Sequence, residues 1–589
     1  MKTLIDLITE QVTNAFTGQG YDAKYGKVTL SNRPDLCEYQ CNGAMAAAKE
    51  YKCAPFMISD KIAQALAENE LFESVESVKP GFINMKVSPA YLAKYVSEMK
   101  ADEGRFGCDK AAHPKTIIVD YGGANVAKPL HIGHLRSAII GESLKRISAF
   151  NGYRTVSDVH LGDWGLQMGL IIVELKSRKP ELPYFDKNYT GEYPAEAPFT
   201  ISELEEIYPC ASGKSKEDEE FKKAAQQATF ELQNGDRGYT ALWHHIINVS
   251  VTDLKKNYGN LNVSFDLWKG ESDAQPYIPD MVDDLIRRGI AHESQGAIVV
   301  DIAKEGDTKE LPPCIVRKSD GAANYETSDL ATLIEREKLY APKAYIYLAD
   351  KRQDLHYTQF FRVARKAGIV REDTVLDFIG FGTMNGSDGK PFKTRQGGVL
   401  RLEYLIKEIN DAVYAKIMEN RSTSEEEARE TARIVGLAAL KYGDLSNQAS
   451  KDYVFDIDRF TSFEGDTGPY ILYTIVRIKS ILKKYEAEGG NAADCVIGNP
   501  DGESERELML ELTGLSEVIE NAYVDRAPHK ICKFVYDLSN AFNHFYHETK
   551  ILAEPDENRK KSYIALIDLT KDVLVTCIDL LGIEAPERM

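Results

Sequence analysis

Lys128-Pro129-Leu130-His131-Ile132-Gly133-His134 is the stretch whose reading decides the fold. It lies between a β-branched run, Thr116-Ile117-Ile118-Val119, and a segment from Leu135 to Phe150. The first has the composition of a strand buried on both faces. The second sets Leu135, Ile139, Ile140, Leu144 and Ile147 at helical spacing and stops at Asn151-Gly152. Two histidines and a glycine thus stand at the mouth of a helix that follows a strand. Such a mouth offers unpaired N–H groups and partial positive charge to a polyphosphate. Gly133 has no Cβ, so a nucleotide can approach the backbone there. Imidazole N–H groups can bond phosphate oxygens as charge builds in a transition state. A lone histidine is ordinarily structural, but this pair at this junction points to nucleotidyl transfer.

The motif is similar to the signature of class I aminoacyl-tRNA synthetases, and its flanks narrow the likeness. Asp120-Tyr121-Gly122-Gly123-Ala124-Asn125-Val126-Ala127 before it and Leu135-Arg136-Ser137 after it resemble the arginyl-tRNA synthetases. So does His160-Leu161-Gly162-Asp163-Trp164-Gly165-Leu166-Gln167. The final Leu580-Leu581-Gly582-Ile583-Glu584-Ala585-Pro586-Glu587-Arg588-Met589 resembles that family's ending, so the likeness spans the chain. It implies an α/β fold class: a Rossmann-type parallel-sheet catalytic domain split by an insertion, with an N-terminal α+β module and an all-α C-terminal helical bundle. It also implies arginine–tRNA ligation with ATP and Mg²⁺, with L-arginine and tRNA as partners and a monomer as the working form.

Composition sets the bounds. A chain of 589 residues exceeds what one hydrophobic core serves, so several domains are expected. Apolar runs such as Leu170 to Val173 are far too short to span a bilayer. Met1 to Val12 reads as an amphipathic helix rather than a secretory signal. Nine scattered cysteines suggest reduced thiols in a cytoplasmic protein, and Cys37, Cys41 and Cys53 make a poor zinc site. The net charge of −19 argues against nucleic-acid binding in bulk, but affinity for phosphates follows local patches. The acidic tract Glu217-Asp218-Glu219-Glu220 could repel RNA from one face or simply be a solvated surface.

Residues 1 to 112 read as a separate module with helical patterns and short strands such as Val28-Thr29-Leu30 and Phe82 to Val87. The resemblance assigns it to contact with the tRNA elbow; as residues alone it could be a structural appendage. Residues 113 to 400 alternate strands and helices, the pattern of a parallel sheet. A polar, lysine- and glutamate-rich stretch from roughly 180 to 260 interrupts them, and it resembles the family's connective insertion, placed at about 180 to 300. Ala344 to Ala349 and Asp377 to Phe381 resume the strands. Residues 401 to 460 read as a helical linker region and 461 to 589 as a helical bundle, which the resemblance implies is an anticodon-binding domain. Aromatics at Phe534, Tyr536, Phe542, Phe545 and Tyr546 could be core or could stack on splayed bases. Thr467 to Tyr473, with Arg477, matches a family block, although the family often has glutamine where Leu472 stands.

The resemblance carries a set of site residues. Catalysis falls to His131, His134, Lys128 and Lys393, and ATP binding to Gly133, Lys393 and Arg395. The family's lysine-rich mobile loop corresponds to Gly389 to Gly398, where Thr394 stands in place of the second lysine. Lys128 then supplies charge to the α-phosphate from the other side. Arginine recognition needs a carboxylate that can take a guanidinium fork. If Tyr325 to Asp329 is helical, Tyr325 and Asp329 lie one turn apart on one face. Both match the family's arginine pocket, as do Gln353, Asp120, Asn125 and His131; no residue is assigned to a metal. Three competing readings remain open at this point. They are a class I synthetase for another amino acid, an adenylylating cofactor enzyme, and a non-catalytic relative that binds RNA or protein.

Overall fold

Thr116–Asp120 forms the strand that its composition predicts, and it runs inside a four-stranded parallel sheet. The order across the sheet is Val375–Phe381, Ala344–Asp350, Thr116–Asp120, Arg154–Asp158, with every pairing parallel. Ile117, Ile118 and Val119 are wholly buried, as a strand covered on both faces requires. From Thr116–Asp120 the chain moves to Arg154–Asp158 on one side and later returns to Ala344–Asp350 on the other. The carboxyl ends of the two central strands therefore open a crevice at the point where the winding reverses, which is where such sheets bind ligands.

The computed structural model describes residues 1–319, 321–386, 388–390, 401–419 and 424–589. They form two units. One joins 111–461 with 580–583, and the other joins 1–110, 462–579 and 584–589.

In the sheet unit, the helix after the first strand is Ile132–Phe150, three residues longer at its start than the apolar spacing indicates. His131 is its N-cap, and a histidine cap lies outside the Ser/Thr/Asp/Asn set that usually marks a helix start. The polar stretch folds into Ile201–Glu217, Glu219–Gln233 and Arg237–Asn260. A capping box of Thr200 and Glu203 opens the first of these helices. A small antiparallel sheet of His292–Ser294, Ala297–Val300 and Cys314–Arg317 follows. Its inward residues Val300, Cys314 and Val316 share a core with Leu330, Tyr345 and Phe360.

Helices Leu402–Glu419 and Glu425–Leu445 belong to this same unit. A buried ion pair ties the second to the histidine helix: Arg136 Nε donates to Asp444 Oδ2 at 3.0 Å. Arg136 Nη1 also donates to the Gly382 and Lys451 carbonyls, at 2.8 and 3.0 Å. Breaking such a pair by removing one partner costs about 3–5 kcal/mol, because the other charge stays buried. The returning segment 580–583 is held by Ser143, which donates to the Leu580 carbonyl, and by Lys441, which donates to that of Gly582.

In the other unit, an antiparallel sheet runs Val28–Leu30, Tyr39–Cys41, Phe82–Val87, Phe72–Val78. Its helical portion comprises Gly468–Ala487, Glu503–Thr513, Leu515–Val524, His529–Glu548 and most of Glu557–Leu580. Lys100 pairs with Asp568 at 2.6 Å and Arg506 with Glu38 at 2.5 Å, joining the two parts of the unit. Among the described residues, no helix is long and apolar enough to cross a membrane.

Candidate active site

The carboxyl end of Thr116–Asp120 leads into a loop pinned from both sides. Ser137 Oγ accepts the Gly122 N–H at 2.8 Å and donates to the Leu348 carbonyl at 3.1 Å. Gly122 and Gly123 take φ values of +96° and +59°, which favour glycine. The loop delivers His131 to the helix mouth. His131 Nδ1 accepts the Gly133 N–H at 3.0 Å, and His134 Nδ1 accepts the His131 N–H at 3.2 Å. The two rings lie 3.9 Å apart. A Cβ at Gly133 would come within 2.7 Å of His131 Cε1, so the approach depends on glycine.

Burial, with His131 and Lys128 nearby, holds the His134 imidazole down at about 3. Burial and Lys128 also hold His131 below its ordinary value. Both rings are therefore neutral near pH 7. With Nδ1 accepting a backbone N–H in each, the ring proton resides on Nε2. The helix mouth thus presents two imidazole N–H donors and no competing positive charge on the rings. The Lys128 ammonium sits 4.7 Å above the ring of Tyr208. Lys393, Arg395 and Thr394 lie outside the described residues.

The other side of the crevice is acidic. Tyr325 begins the helix Tyr325–Tyr340, so it does stand one turn from Asp329; it is 73% exposed. Asp329 already has a partner: its Oδ2 meets His356 Nε2 at 2.7 Å, while Glu326 meets His356 Nδ1 at 3.0 Å. Burial opposes charge on His356, but the bonds to Asp329 and Glu326 outweigh it and raise the imidazole to about 10. The other Asp329 oxygen faces His160 Nε2 at 3.8 Å. Glu271 is pushed up to about 7 by burial, with Asp163 and Asp329 adding repulsion against the pull of His160.

One oxygen of Asp120 is already engaged: its Oδ2 accepts from Arg336 Nη2 at 2.6 Å. The same nitrogen donates to Asp158 Oδ2 at 2.7 Å. Arg336, only 2% exposed, thereby ties the carboxyl ends of two neighbouring strands. Asn125 bridges to Gly162, whose missing Cβ leaves room for the Asn125 side-chain oxygen. Gln353 is exposed at the one-turn helix Lys351–Gln353.

The structure thus brings His131, His134 and Lys128 together at one helix mouth, and places Asp329 among acids that sequence reading did not assign. Those are Glu271 and Glu326, with His160, His356, Asp158 and Arg336 around them. Asp158 ends a parallel strand and His160 follows two residues on, a position that marks them as candidates. Glu271 and His356 carry no local signal.

In the other unit, Phe534, Phe542 and Phe545 are core residues. Tyr473 and Tyr546 remain partly exposed, and the Arg477 guanidinium lies between them, 4.7 and 5.1 Å from their rings.

Known proteins resemble this chain along its whole length. Residues 96–457 match the family model of class I tRNA synthetases (R), catalytic domain. Residues 2–87 match the arginyl tRNA synthetase N terminal domain, and 471–589 the DALR anticodon binding domain. The arginine–tRNA ligase of Agathobacter rectalis is 66% identical and that of Alkaliphilus oremlandii 59%, each alignment covering 100% of both chains. The crystal structure of arginyl-tRNA synthetase from Plasmodium falciparum superposes with a TM-score of 0.81 at 25% identity, again over 100% of both chains. That of Thermus thermophilus shares the fold, with a TM-score of 0.77 at 21% identity and full coverage of both chains.

Proposed function

The chain belongs to the arginyl-tRNA synthetases, and from that premise we propose how its residues divide the work. The activity is ATP-dependent activation of L-arginine to arginyl-adenylate, then transfer of the arginyl group to the 3′-terminal ribose of arginine tRNA. In the first step the arginine carboxylate attacks the α-phosphorus of ATP in line, and the bond to pyrophosphate breaks. Such a reaction needs positioning and charge stabilisation rather than a protein nucleophile.

The neutral, Nε2-protonated pair His131 and His134 carries this reading. Their N–H groups donate to phosphate oxygens as charge builds, and Lys128 adds a full positive charge. Lys393 and Arg395 act on the triphosphate. Gly133 gives ATP its close approach. Asp329 and Glu271 receive the guanidinium, Tyr325 packs against it, and Asn125 orients the substrate carboxylate. Asp120 and Gln353 address the α-ammonium end. Lysine is rejected because its single ammonium leaves part of the acid set unpaired in a half-buried site.

Mg²⁺ belongs to the ATP phosphates in this reading. Asp120, Asp158 and His160 have donor atoms within 4.8 Å of one another, but Arg336 bonds both carboxylates, so this cluster does not fit the ion. Residues 1–112 touch the tRNA elbow, and 461–589 read the anticodon with Tyr473, Arg477 and Tyr546 as a stacking surface. A cytoplasmic location accords with nine free thiols, and a monomer follows from the family resemblance.

The test is amino-acid-dependent ATP–pyrophosphate exchange across all twenty amino acids, with and without tRNA. Exchange for arginine that appears only when tRNA is present is expected. Exchange driven equally by another amino acid would overturn the acid-pocket assignment.

A further inference from the structure

Lysine is a poor tool for a precise task unless something holds it. Its ammonium rides on four flexible carbons and carries large rotamer entropy. A carboxylate partner would fix it, but would also cancel the charge that a phosphate site needs. An aromatic face holds a cation through its quadrupole and leaves the charge whole.

The helix Ile201–Glu217 displays both kinds of partner. Tyr208 lies under the Lys128 ammonium at 4.7 Å from the ring centroid. The ring is seated in a small apolar cluster with Leu170, Val173, Ala211 and Phe221, so its position is set by packing. Glu205, three residues earlier, lies on the same helix face. Its Oε2 pairs with Arg401 Nη1 at 2.8 Å, and Glu205 is largely buried. Arg401 in turn forms a backbone bridge with His131, and Leu402 N–H donates to the Leu130 carbonyl at 3.0 Å. One helix face therefore addresses two cations beside the histidine motif. It gives a carboxylate to Arg401, which is structural, and a ring to Lys128. Among the described residues, no carboxylate pairs with Lys128.

We infer that Tyr208 is a positioning residue for arginine activation: its ring holds the Lys128 ammonium at the phosphate site without neutralising it. Glu205 sets the helix against the backbone of His131 so that the ring meets the lysine. The inference rests on the reading of Lys128 as the charge that serves the α-phosphate.

The experiment is tRNA-supported, arginine-dependent pyrophosphate exchange on the full chain, comparing Tyr208→Phe, Tyr208→Leu, Lys128→Gln and the double variant Lys128→Gln/Tyr208→Leu. Tyr208→Phe retains the rate within about twofold, because the ring face remains. Tyr208→Leu lowers kcat about tenfold with KM for arginine unchanged, the loss expected for a partly desolvated cation–π contact. In the Lys128→Gln background, Tyr208→Leu adds no further loss. A Lys128→Gln protein with the parent rate would remove the premise. A slowed Lys128→Gln protein beside an unimpaired Tyr208→Leu protein would remove the inference alone, as would equal losses in both backgrounds. Should Tyr208→Leu fail to fold, phenylalanine bearing one, two or three ring fluorines at position 208 keeps the shape and weakens the quadrupole. A stepwise fall in kcat along that series is expected, and a flat series overturns the proposal.

Discussion

At the proposed phosphate end of the crevice, His131 and His134 are half-buried beside Lys128 and resist protonation, whereas at the proposed arginine end His356 lies between Glu326 and Asp329 and holds its proton. Burial acts against charge in all three. What differs is the company: a cation in one case, two carboxylates in the other. Each choice suits its ligand. A site for phosphate gains from N–H donors whose Nδ1 is tied to backbone. A site for guanidinium gathers acids and keeps some of their repulsion in check with an imidazolium. The same side chain thus serves opposite electrostatic ends within one sheet edge.

The largest expected effect breaks the acidic side. Asp329→Ala removes the carboxylate proposed to receive the guanidinium from a half-buried site and is expected to lower kcat/KM for arginine by about 10³-fold. Binding of tRNA, measured by filter retention, should be unchanged. Normal activation by Asp329→Ala would dismiss the pocket.

Next comes the neutral side, where amide substitutions discriminate the tautomer. A glutamine amide reaches the place of imidazole Nε2, and an asparagine amide only that of Nδ1. His134→Gln should therefore lose about 10-fold in exchange rate and His134→Asn about 10²-fold or more, the scale of losing one transition-state donor. The reverse order would put the working proton on Nδ1.

Away from the crevice, Tyr473→Ala should raise KM for tRNA about tenfold through lost stacking, with KM values for ATP and arginine unchanged. An equal rise in all three would mark Tyr473 as structural.

The smallest effect is on stability, and its sign differs between the two ends. The His134 imidazole falls from 6.5 to about 3 on folding, so between those pH values the unfolded chain binds the extra proton and stability is lost as pH drops. The His356 imidazole rises from 6.5 to about 10, so its contribution is whole below pH 6.5 and is lost as pH climbs toward 10. His356→Gln should flatten the fall of the unfolding temperature on the alkaline side, seen by calorimetry. A fall as steep as the parent's would deny the shift.

How legible each end was in the sequence follows from how it is built. The phosphate end is contiguous: strand, loop, histidine pair and helix occupy residues 116 to 150, and local periodicity suffices to read them. The helix start was misplaced only because a histidine supplies the cap. The arginine end is assembled from four separated places, Asp158 and His160, Glu271, the Glu326–Asp329 turn, and His356. Asp329 was singled out by the family resemblance, with its helical spacing to Tyr325 as support; the spacing alone describes an ordinary surface pair. His356 and Glu271 were missed because only the packed sheet brings them to the same wall. Similarly, alternating strands signal a parallel sheet, but nothing local reveals that 401–461 folds with that sheet or that 580–583 returns to it.

The most direct test of the opposed histidine states is ¹⁵N imidazole NMR on the full chain from pH 5 to 9, with His131, His134 and His356 assigned by substitution. His134 should remain neutral and protonated at Nε2 throughout, His131 should titrate below the ordinary histidine range, and His356 should stay an imidazolium across the range. A His134 that protonates near 6.5, or a His356 that is neutral at pH 7, would contradict the account.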